Sequence, residues 1–95
     1  TEEIAEPESY RIADGHLSVY PNPNRGMLNI KYTPVNEEPV LIRIIDNRGR
    51  TVAEETLNAS GLLTRTYDLQ SSSKGTYLIQ IRQGKHWRHE KVVLK

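Results

Sequence analysis

Apolar and polar residues alternate along most of this chain. Leu28, Ile30 and Tyr32 occupy every second position of their segment, with polar residues between them, and residues 40–44 repeat this spacing. A period of two places the apolar side chains on one face of a β-strand, and no window of useful length shows the spacing of a helix. The alternation predicts strands near residues 17–20, 27–33, 40–46, 50–57, 63–69, 76–82 and 86–94.

Turn-forming residues separate these segments. Examples are "DNRG" at 46–49, "SSSKG" at 71–75 and "QGK" at 83–85, and such clusters recur about every 10 to 15 residues. Short strands at this spacing are typical of two packed antiparallel sheets. We therefore expect an all-β fold, an immunoglobulin-like antiparallel β-sandwich of about seven strands.

The last of the predicted strands has the weakest alternation. In "KHWRHEKVVLK", which covers residues 85–95, Trp87 is out of phase with Val92 and Leu94. A change of phase within a strand is typical of a bulge, where one extra residue shifts the side chains to the other face. We expect a bulge or a bend between Trp87 and Val92.

The stretch "VYPNPNRG" joins the first two predicted strands. Proline has no N–H and a fixed φ, so Pro21 and Pro23 end the first strand and stiffen the connection, while Gly26 is able to adopt the positive φ of a turn. A phosphate-binding loop would need clustered glycines before a helix and usually a lysine. We interpret the stretch as a rigid connection between strands, in which the two asparagines bond their own backbone.

Length and composition narrow the class of protein. The chain has 95 residues, of which 36% are hydrophobic, and contains no cysteine. This is enough for one small domain with a thin core, and no apolar run approaches the roughly 20 residues that span a bilayer. Without cysteine there are no disulfides, no thiolate nucleophile and none of the usual cysteine ligands of structural zinc.

Charge is distributed unevenly along the chain. Residues 1–16 carry five carboxylates against one arginine, a local charge of −4, and have no periodic apolar pattern; we interpret them as an acidic flexible linker from a parent protein, preceding a globule over residues 17–95. Residues 74–95 carry six cations against one carboxylate, a local charge of +5. A solvated strand face is the usual reason for such an excess, and we do not expect nucleic-acid binding.

Candidate catalytic and metal-binding residues are scattered. His86 and His89 are three positions apart in a predicted strand, so that their side chains point to opposite faces and do not share a metal ion. The serines at 71–73 have no histidine at a fixed local spacing to act as a base. We predict no catalytic, cofactor or metal site, and the chain is not expected to be an enzyme.

Three motifs in a fixed order give the chain a family resemblance. They are "VYPNPNRG" followed by "MLNIKY", then "GTYLIQI" at 75–81, then "EKVVLK" ending at Lys95. Together they resemble the type A C-terminal sorting domain of the type IX (Por) secretion system, over nearly all of residues 17–95. The matching positions, which the resemblance implies are recognition motifs, are Pro21, Asn22, Pro23, Gly26, Gly75, Tyr77, Lys91, Val92, Val93, Leu94 and Lys95.

These positions also have structural explanations. Gly75 suits a turn, Tyr77 a core position, and Val92 with Leu94 the pairing of a final strand, and physical reasoning alone does not separate these roles from recognition. The aromatic and basic "HWRH" at 86–89 departs from the family pattern and leaves the pairing of the last strand open.

The resemblance implies a role in protein transport. Members of the family sit at the end of cell-surface or secreted proteins of Bacteroidetes-type bacteria. After export to the periplasm they are recognised by an outer-membrane translocon and a shuttle protein, and a surface sortase then cuts upstream, so that the parent is released or joined to lipopolysaccharide. For this chain we expect such a secretion signal, with no cofactor and with the cut in residues 1–16.

Two further hypotheses complete the sequence interpretation. The last strand is expected at a sheet edge, with its backbone groups available to a partner strand and its lysines discouraging self-association. The alternative function is a fibronectin-like or carbohydrate-binding accessory module, in which Trp87 stacks on sugar rings. Against it, Tyr32 and Tyr77 are predicted to face the core, which leaves few aromatic residues for a sugar platform.

Overall fold

The computed structural model describes residues 15–59 and 61–95, and the described part contains strands and no helix. The predicted strands are confirmed to within one residue at either end, whereas the predicted linker lies outside the described residues except for Gly15 and His16. The strands are β1 (Leu17–Tyr20), β2 (Met27–Tyr32), β3 (Val40–Ile45), β4 (Thr51–Leu57), β5 (Leu63–Asp68), β6 (Gly75–Gln83) and β7 (His86–Leu94).

The strands form two antiparallel sheets that pack face to face. One has three strands in the order β1-β2-β5, and the other has four strands in the order β4-β3-β6-β7. Every strand pair is antiparallel. This arrangement confirms the predicted antiparallel β-sandwich, and it places β7 at an edge of the larger sheet.

The core lies between the two sheets and follows the alternation seen in the sequence. All of its residues except Leu69, which follows β5, come from alternate positions of the strands, so that each sheet buries one face and exposes the other. Full burial of one such aliphatic side chain contributes about 1.5 to 3 kcal/mol. The buried apolar residues are Leu17, Leu28, Ile30, Tyr32, Val40, Ile42, Ile44, Leu69, Tyr77, Ile79, Ile81, Val92 and Leu94.

The prediction of a bulge or a bend in the last strand is wrong. β7 pairs with β6 in an unbroken register from Gly75 opposite Leu94 to Gln83 opposite His86. Trp87 lies on the outer face and is 41% exposed. All residues of 85–91 are exposed, so this half of the strand buries no face and needs no apolar alternation. The register shift that the described strands do contain lies where β3 pairs with β4, after Ile44.

A buried amide at the end of β6 fixes the loop between β2 and β3. Gln83 is fully buried, and its Oε1 accepts hydrogen bonds from the Val35 N–H at 2.8 Å and from the Tyr32 hydroxyl at 3.3 Å. Its Nε2 donates to the carbonyls of Asn36 and Glu38, both at 2.8 Å. All hydrogen-bonding atoms of the side chain are therefore used, as a buried polar group requires.

Ionic and hydroxyl contacts link the sheets where β4 and β5 form their edges. The Tyr67 hydroxyl donates to Glu55 at 2.6 Å, and Arg65 contacts the same carboxylate through two nitrogens. The hydrogen bond from Tyr67, and then the one from Arg65, lower the pKa of the Glu55 carboxyl below its ordinary value of 4.5. Burial and the Glu55 carboxylate raise the pKa of the Tyr67 hydroxyl.

This lowered pKa makes stability depend on pH. A carboxyl whose pKa is lower in the folded state stabilises the fold above its unfolded pKa, and the contribution is lost as the pH falls through the folded value. We therefore expect the free energy of unfolding to fall as the pH is lowered below the ordinary carboxyl value of 4.5, and to fall less steeply in a Glu55→Gln variant. Urea denaturation followed by circular dichroism over this range measures both slopes.

Tyr67→Phe is the matched control, because it removes the largest cause of the shift and keeps the carboxylate. It should give an intermediate slope. Some pH dependence should remain in both variants, since hydrogen bonds from the Arg50 and Arg48 backbones lower the pKa of Asp46 as well. Equal slopes for wild type and Glu55→Gln would contradict the prediction.

Candidate recognition site

The loop between β1 and β2 lies along the outer edge of β7. The Asn24 N–H donates to the Val93 carbonyl at 2.7 Å, and the Lys95 N–H donates to the Asn24 carbonyl at 2.7 Å. Asn24 and Leu94 thereby form a short parallel bridge. The first sequence motif is thus paired with the last one. Asn24 extends the four-stranded sheet by a single residue beyond β7.

The side chain of Asn22 extends this pairing. Its Nδ2 donates to the Lys91 carbonyl at 3.2 Å, and its Oδ1 accepts the Val93 N–H at 3.0 Å. An amide group that donates and accepts in this way replaces the backbone of a neighbouring strand. Together, Asn22 and Asn24 bond to the Lys91 carbonyl, to the N–H and carbonyl of Val93, and to the Lys95 N–H.

Asn24 also holds the loop itself in shape. It is only 1% exposed; its Nδ2 donates to the carbonyls of Met27 at 2.8 Å and Pro21 at 3.2 Å, and its Oδ1 accepts the Gly26 N–H at 2.5 Å. The sequence interpretation left Asn24 out of the recognition motifs. An asparagine two residues before a glycine in a proline-containing loop is a signal for such a turn.

Gly26 brings the loop against the start of the β5–β6 connection. Its φ is 133°, which confirms the predicted positive value, and its carbonyl accepts the Leu69 N–H at 2.6 Å. A Cβ at this position would lie 2.4 Å from Gln70 Cγ. Pro21 and Pro23 are exposed and each follows a cis peptide bond.

The middle motif lies beside the terminal one on the next strand. Gly75 is opposite Leu94, and Tyr77 is opposite Val92. The Tyr77 ring is buried, and its hydroxyl donates to the Ser73 carbonyl, which fastens the preceding loop to β6. Both motif residues line a polar cleft of about 400 Å³ between this loop and the β3–β4 turn.

The terminal motif presents two different faces. Val92 and Leu94 are 1% and 4% exposed and belong to the core. Lys91, Val93 and Lys95 point to the opposite side and are exposed. The same five residues therefore complete the sandwich with one face and offer a basic and apolar surface with the other.

These contacts correct part of the edge hypothesis. The last strand does lie at a sheet edge, but the Lys91 carbonyl, both backbone groups of Val93 and the Lys95 N–H already bond to Asn22 and Asn24. A partner strand cannot use them unless the loop leaves. The expectation that this segment is available for pairing is wrong for residues 91–95, because sequence alternation gives no sign of a loop that folds back onto an edge.

The exposed aromatic residues do not form one platform. Trp87 lies on the outer face of the four-stranded sheet. Tyr20 is 39% exposed and follows Val19, which packs against the core, so it lies on the outer face of the other sheet. Tyr32 and Tyr77 are buried, which confirms their predicted positions. A sugar-stacking surface made of several aromatic rings is therefore not favoured.

Metal-binding and membrane-spanning features are not seen among residues 15–59 and 61–95. No three His, Asp or Glu side chains of this part lie close enough together to hold a metal ion. His86 is opposite Gln83 and His89 is opposite Gln80 in the β6–β7 ladder, so the two rings lie on different faces. No helix of the described chain is long and apolar enough to cross a membrane.

The fold and this site define a class. A β-sandwich is a fold that hosts many unrelated functions, so its class is argued from the corner where the three sequence motifs meet, which holds no cluster of His, Asp or Glu for a metal among the described residues. Residues 18–95 match the family described as "Secretion system C-terminal sorting domain", and the chain belongs to this family. A search of curated proteins found no significant match.

Membership of this family establishes the general role. The domain is a C-terminal sorting signal of type IX secretion, and the family is not an enzyme family. Such a signal implies interaction with the secretion system and export to the cell surface or into the medium.

Proposed function

We propose that an outer-membrane translocon and a shuttle protein recognise this domain at the corner where its three motifs meet. One observation carries the proposal: the asparagines of the first motif bond to the backbone of residues 91–95, while the middle motif pairs with the same segment from the other side. Motifs that are distant in sequence thereby form one continuous surface, which only the folded domain presents.

The motif residues divide into two roles in this proposal. Those whose side chains are exposed contact the partner, namely Pro21, Asn22, Pro23, Lys91, Val93 and Lys95. The remaining ones, Gly26, Gly75, Tyr77, Val92 and Leu94, hold the exposed ones in place through turns and core packing. This division assigns recognition and folding to different residues, whereas the sequence alone did not distinguish the two roles.

The later steps of the route are part of the same proposal. The domain passes through the periplasm, and a surface sortase cuts in the acidic residues 1–16, after which the parent is released or joined to lipopolysaccharide. A protease needs an extended segment that it can bind. The compact domain is tied from Gly15 onward, where the Gly15 N–H donates to the Thr33 carbonyl at 2.6 Å, so the cut falls before this point.

Export of a fused reporter tests the proposal. Residues 1–95 are fused to a periplasmic reporter in a host that has the secretion system, and surface fractionation measures the exported share. We expect the wild-type fusion to be exported. A variant with Lys91→Gln, Val93→Ser and Lys95→Gln should accumulate in the periplasm, because it loses the outward face of the terminal motif and keeps Val92 and Leu94 in the core.

The matched control removes two charges elsewhere. Lys31→Gln with Arg48→Gln changes the other sheet and the β3–β4 turn, and it should leave export unchanged. Thermal unfolding of both variants shows whether the domain still folds. A folded triple variant that is exported like wild type would show that the exposed motif residues do not act in recognition.

A further inference from the structure

The outer edge of β7 has two halves with different environments. In its second half the edge-facing residues are Lys91, Val93 and Lys95, of which the Lys91 carbonyl, both backbone groups of Val93 and the Lys95 N–H bond to the β1–β2 loop. The N–H and C=O of one residue in an antiparallel strand point to the same side, and the side changes at each residue. The edge-facing residues of the first half are therefore Trp87 and His89.

Among the described residues, the backbone groups of this first half are nearly all without a partner. The Trp87 carbonyl accepts a hydrogen bond from Arg88 Nη1 at 3.2 Å. Neither the N–H nor the C=O of His89, nor the N–H of Trp87, is bonded within that part of the chain. Residues 85–91 are exposed throughout, and a row of N–H and C=O groups without strand partners at a sheet edge is a template for a further strand.

The chain around the first half of the β7 edge carries an excess of positive charge. Residues 82–91 carry four cations, Arg82, Lys85, Arg88 and Lys91, against one carboxylate, Glu90, a net charge of +3; the Glu38 carboxylate lies beside Gly84 in the turn before β7. A second copy of the same edge would bring like charges together and is disfavoured. An acidic segment would be attracted, and the attraction would also speed its encounter with the edge.

Side chains on the outer face add a surface beside the open edge. The Trp87 and His89 rings are stacked, with centroids 6.2 Å apart and planes at 13°, and the Arg82 guanidinium lies 5.3 Å from the centre of the Trp87 ring. Side chains of an added strand would lie next to Trp87 and His89, since directly opposite residues have Cβ atoms about 5 Å apart.

We propose that residues 86–90 of β7 are a docking edge for an extended acidic peptide segment, which adds as a fifth strand to the four-stranded sheet. The inference rests on the proposed function, in that the segment belongs to the export machinery. The loop of the first motif covers the adjacent half of the edge and so fixes where the added strand ends.

A single proline substitution, compared with alanine at the same position, tests the backbone contact. His89→Pro removes an N–H that points away from β6, so the β6–β7 ladder is kept, whereas His89→Ala removes the ring and keeps the N–H. The probe is a ten-residue peptide that alternates glutamate with valine, and a peptide that alternates lysine with valine is its control. Amide shifts of residues 85–91 in ¹⁵N NMR spectra report binding.

We expect the glutamate peptide to bind wild type and His89→Ala, and to bind His89→Pro about tenfold more weakly. The lysine peptide should not bind, and higher salt should weaken the binding of the glutamate peptide. The wild-type measurement needs no variant, so it stands even if His89→Pro fails to fold.

Three results would overturn the inference. The first is equal shifts with both peptides, or none with either. The second is binding that Trp87→Ala abolishes and His89→Pro keeps, which would indicate a ligand of the side chains, such as an anionic glycan. The third is a wild-type dimer in size-exclusion chromatography that His89→Pro dissociates, which would make a second copy the occupant.

The export assay distinguishes this inference from the proposed function. If the His89→Pro fusion folds and is exported like wild type, the docking edge is wrong and the sorting proposal stands. If the wild-type fusion is not exported, the sorting proposal fails and this inference loses the partner it assigns.

Discussion

Replacing Asn24 with alanine should lower the free energy of unfolding by about 2 to 4 kcal/mol. The side chain is 1% exposed and makes hydrogen bonds to the Met27 carbonyl, the Pro21 carbonyl and the Gly26 N–H. Alanine would leave the buried members of this set without partners, and each such group costs about 1 to 3 kcal/mol. The loss is a large share of the roughly 5 to 15 kcal/mol that stabilises a typical domain.

Asn22→Ala is the matched control for this prediction. Asn22 is exposed and makes two hydrogen bonds, to the Lys91 carbonyl and from the Val93 N–H. Water can replace both, so we expect a loss of about 0.5 to 1.5 kcal/mol. Urea denaturation followed by circular dichroism measures both variants. If Asn22→Ala is the more destabilising of the two, the loop is not organised around Asn24.

Replacing Gly26 with alanine should cost about 2 to 4 kcal/mol for two separate reasons. The backbone of Gly26 has a φ of 133°, which residues other than glycine rarely adopt. The added Cβ would also lie 2.4 Å from Gln70 Cγ and 3.1 Å from Gln70 Cα, so the β5–β6 connection has to move. Thermal and urea denaturation measure the cost.

Gly49→Ala separates the two causes. Gly49 has a φ of 84° with no atom within 4 Å of an added Cβ, so this variant should lose only the backbone part, about 1 to 2 kcal/mol. Gln70→Ala combined with Gly26→Ala should recover part of the loss, because it removes Cγ and keeps Cα. Equal losses for Gly26→Ala and Gly49→Ala would show that the contact with Gln70 contributes nothing.

Much of the fold follows from local pattern. A period of two identifies strands wherever one face is buried, as in β2, β3 and β6, and there the sequence predicted the bounds to within one residue and the inward residues correctly. The pattern fails in the first half of β7, because residues 85–91 are exposed on both faces and carry no constraint on their order. The out-of-phase Trp87 therefore suggested a bulge that is absent from the observed β6–β7 ladder.

The candidate recognition site was less predictable, because it depends on contacts between distant segments. Gly26 was identified correctly as a positive-φ residue, since a turn after two prolines is a local feature. Asn22 forms hydrogen bonds to Lys91 and Val93 of β7, which lie 69 and 71 positions further along the chain. No periodicity in the sequence indicates these contacts. The same holds for Gln83, whose four partners lie outside its own strand.

The pairing of the first motif with residues 91–95 has a consequence for biosynthesis. A ribosome makes the asparagine loop about seventy residues before the segment that it binds, so the corner surface does not exist until residue 95 has been added. A parent protein whose translation stops early would carry the first two motifs and no assembled surface. Under the proposed function, such a product would lack the surface that the export machinery recognises.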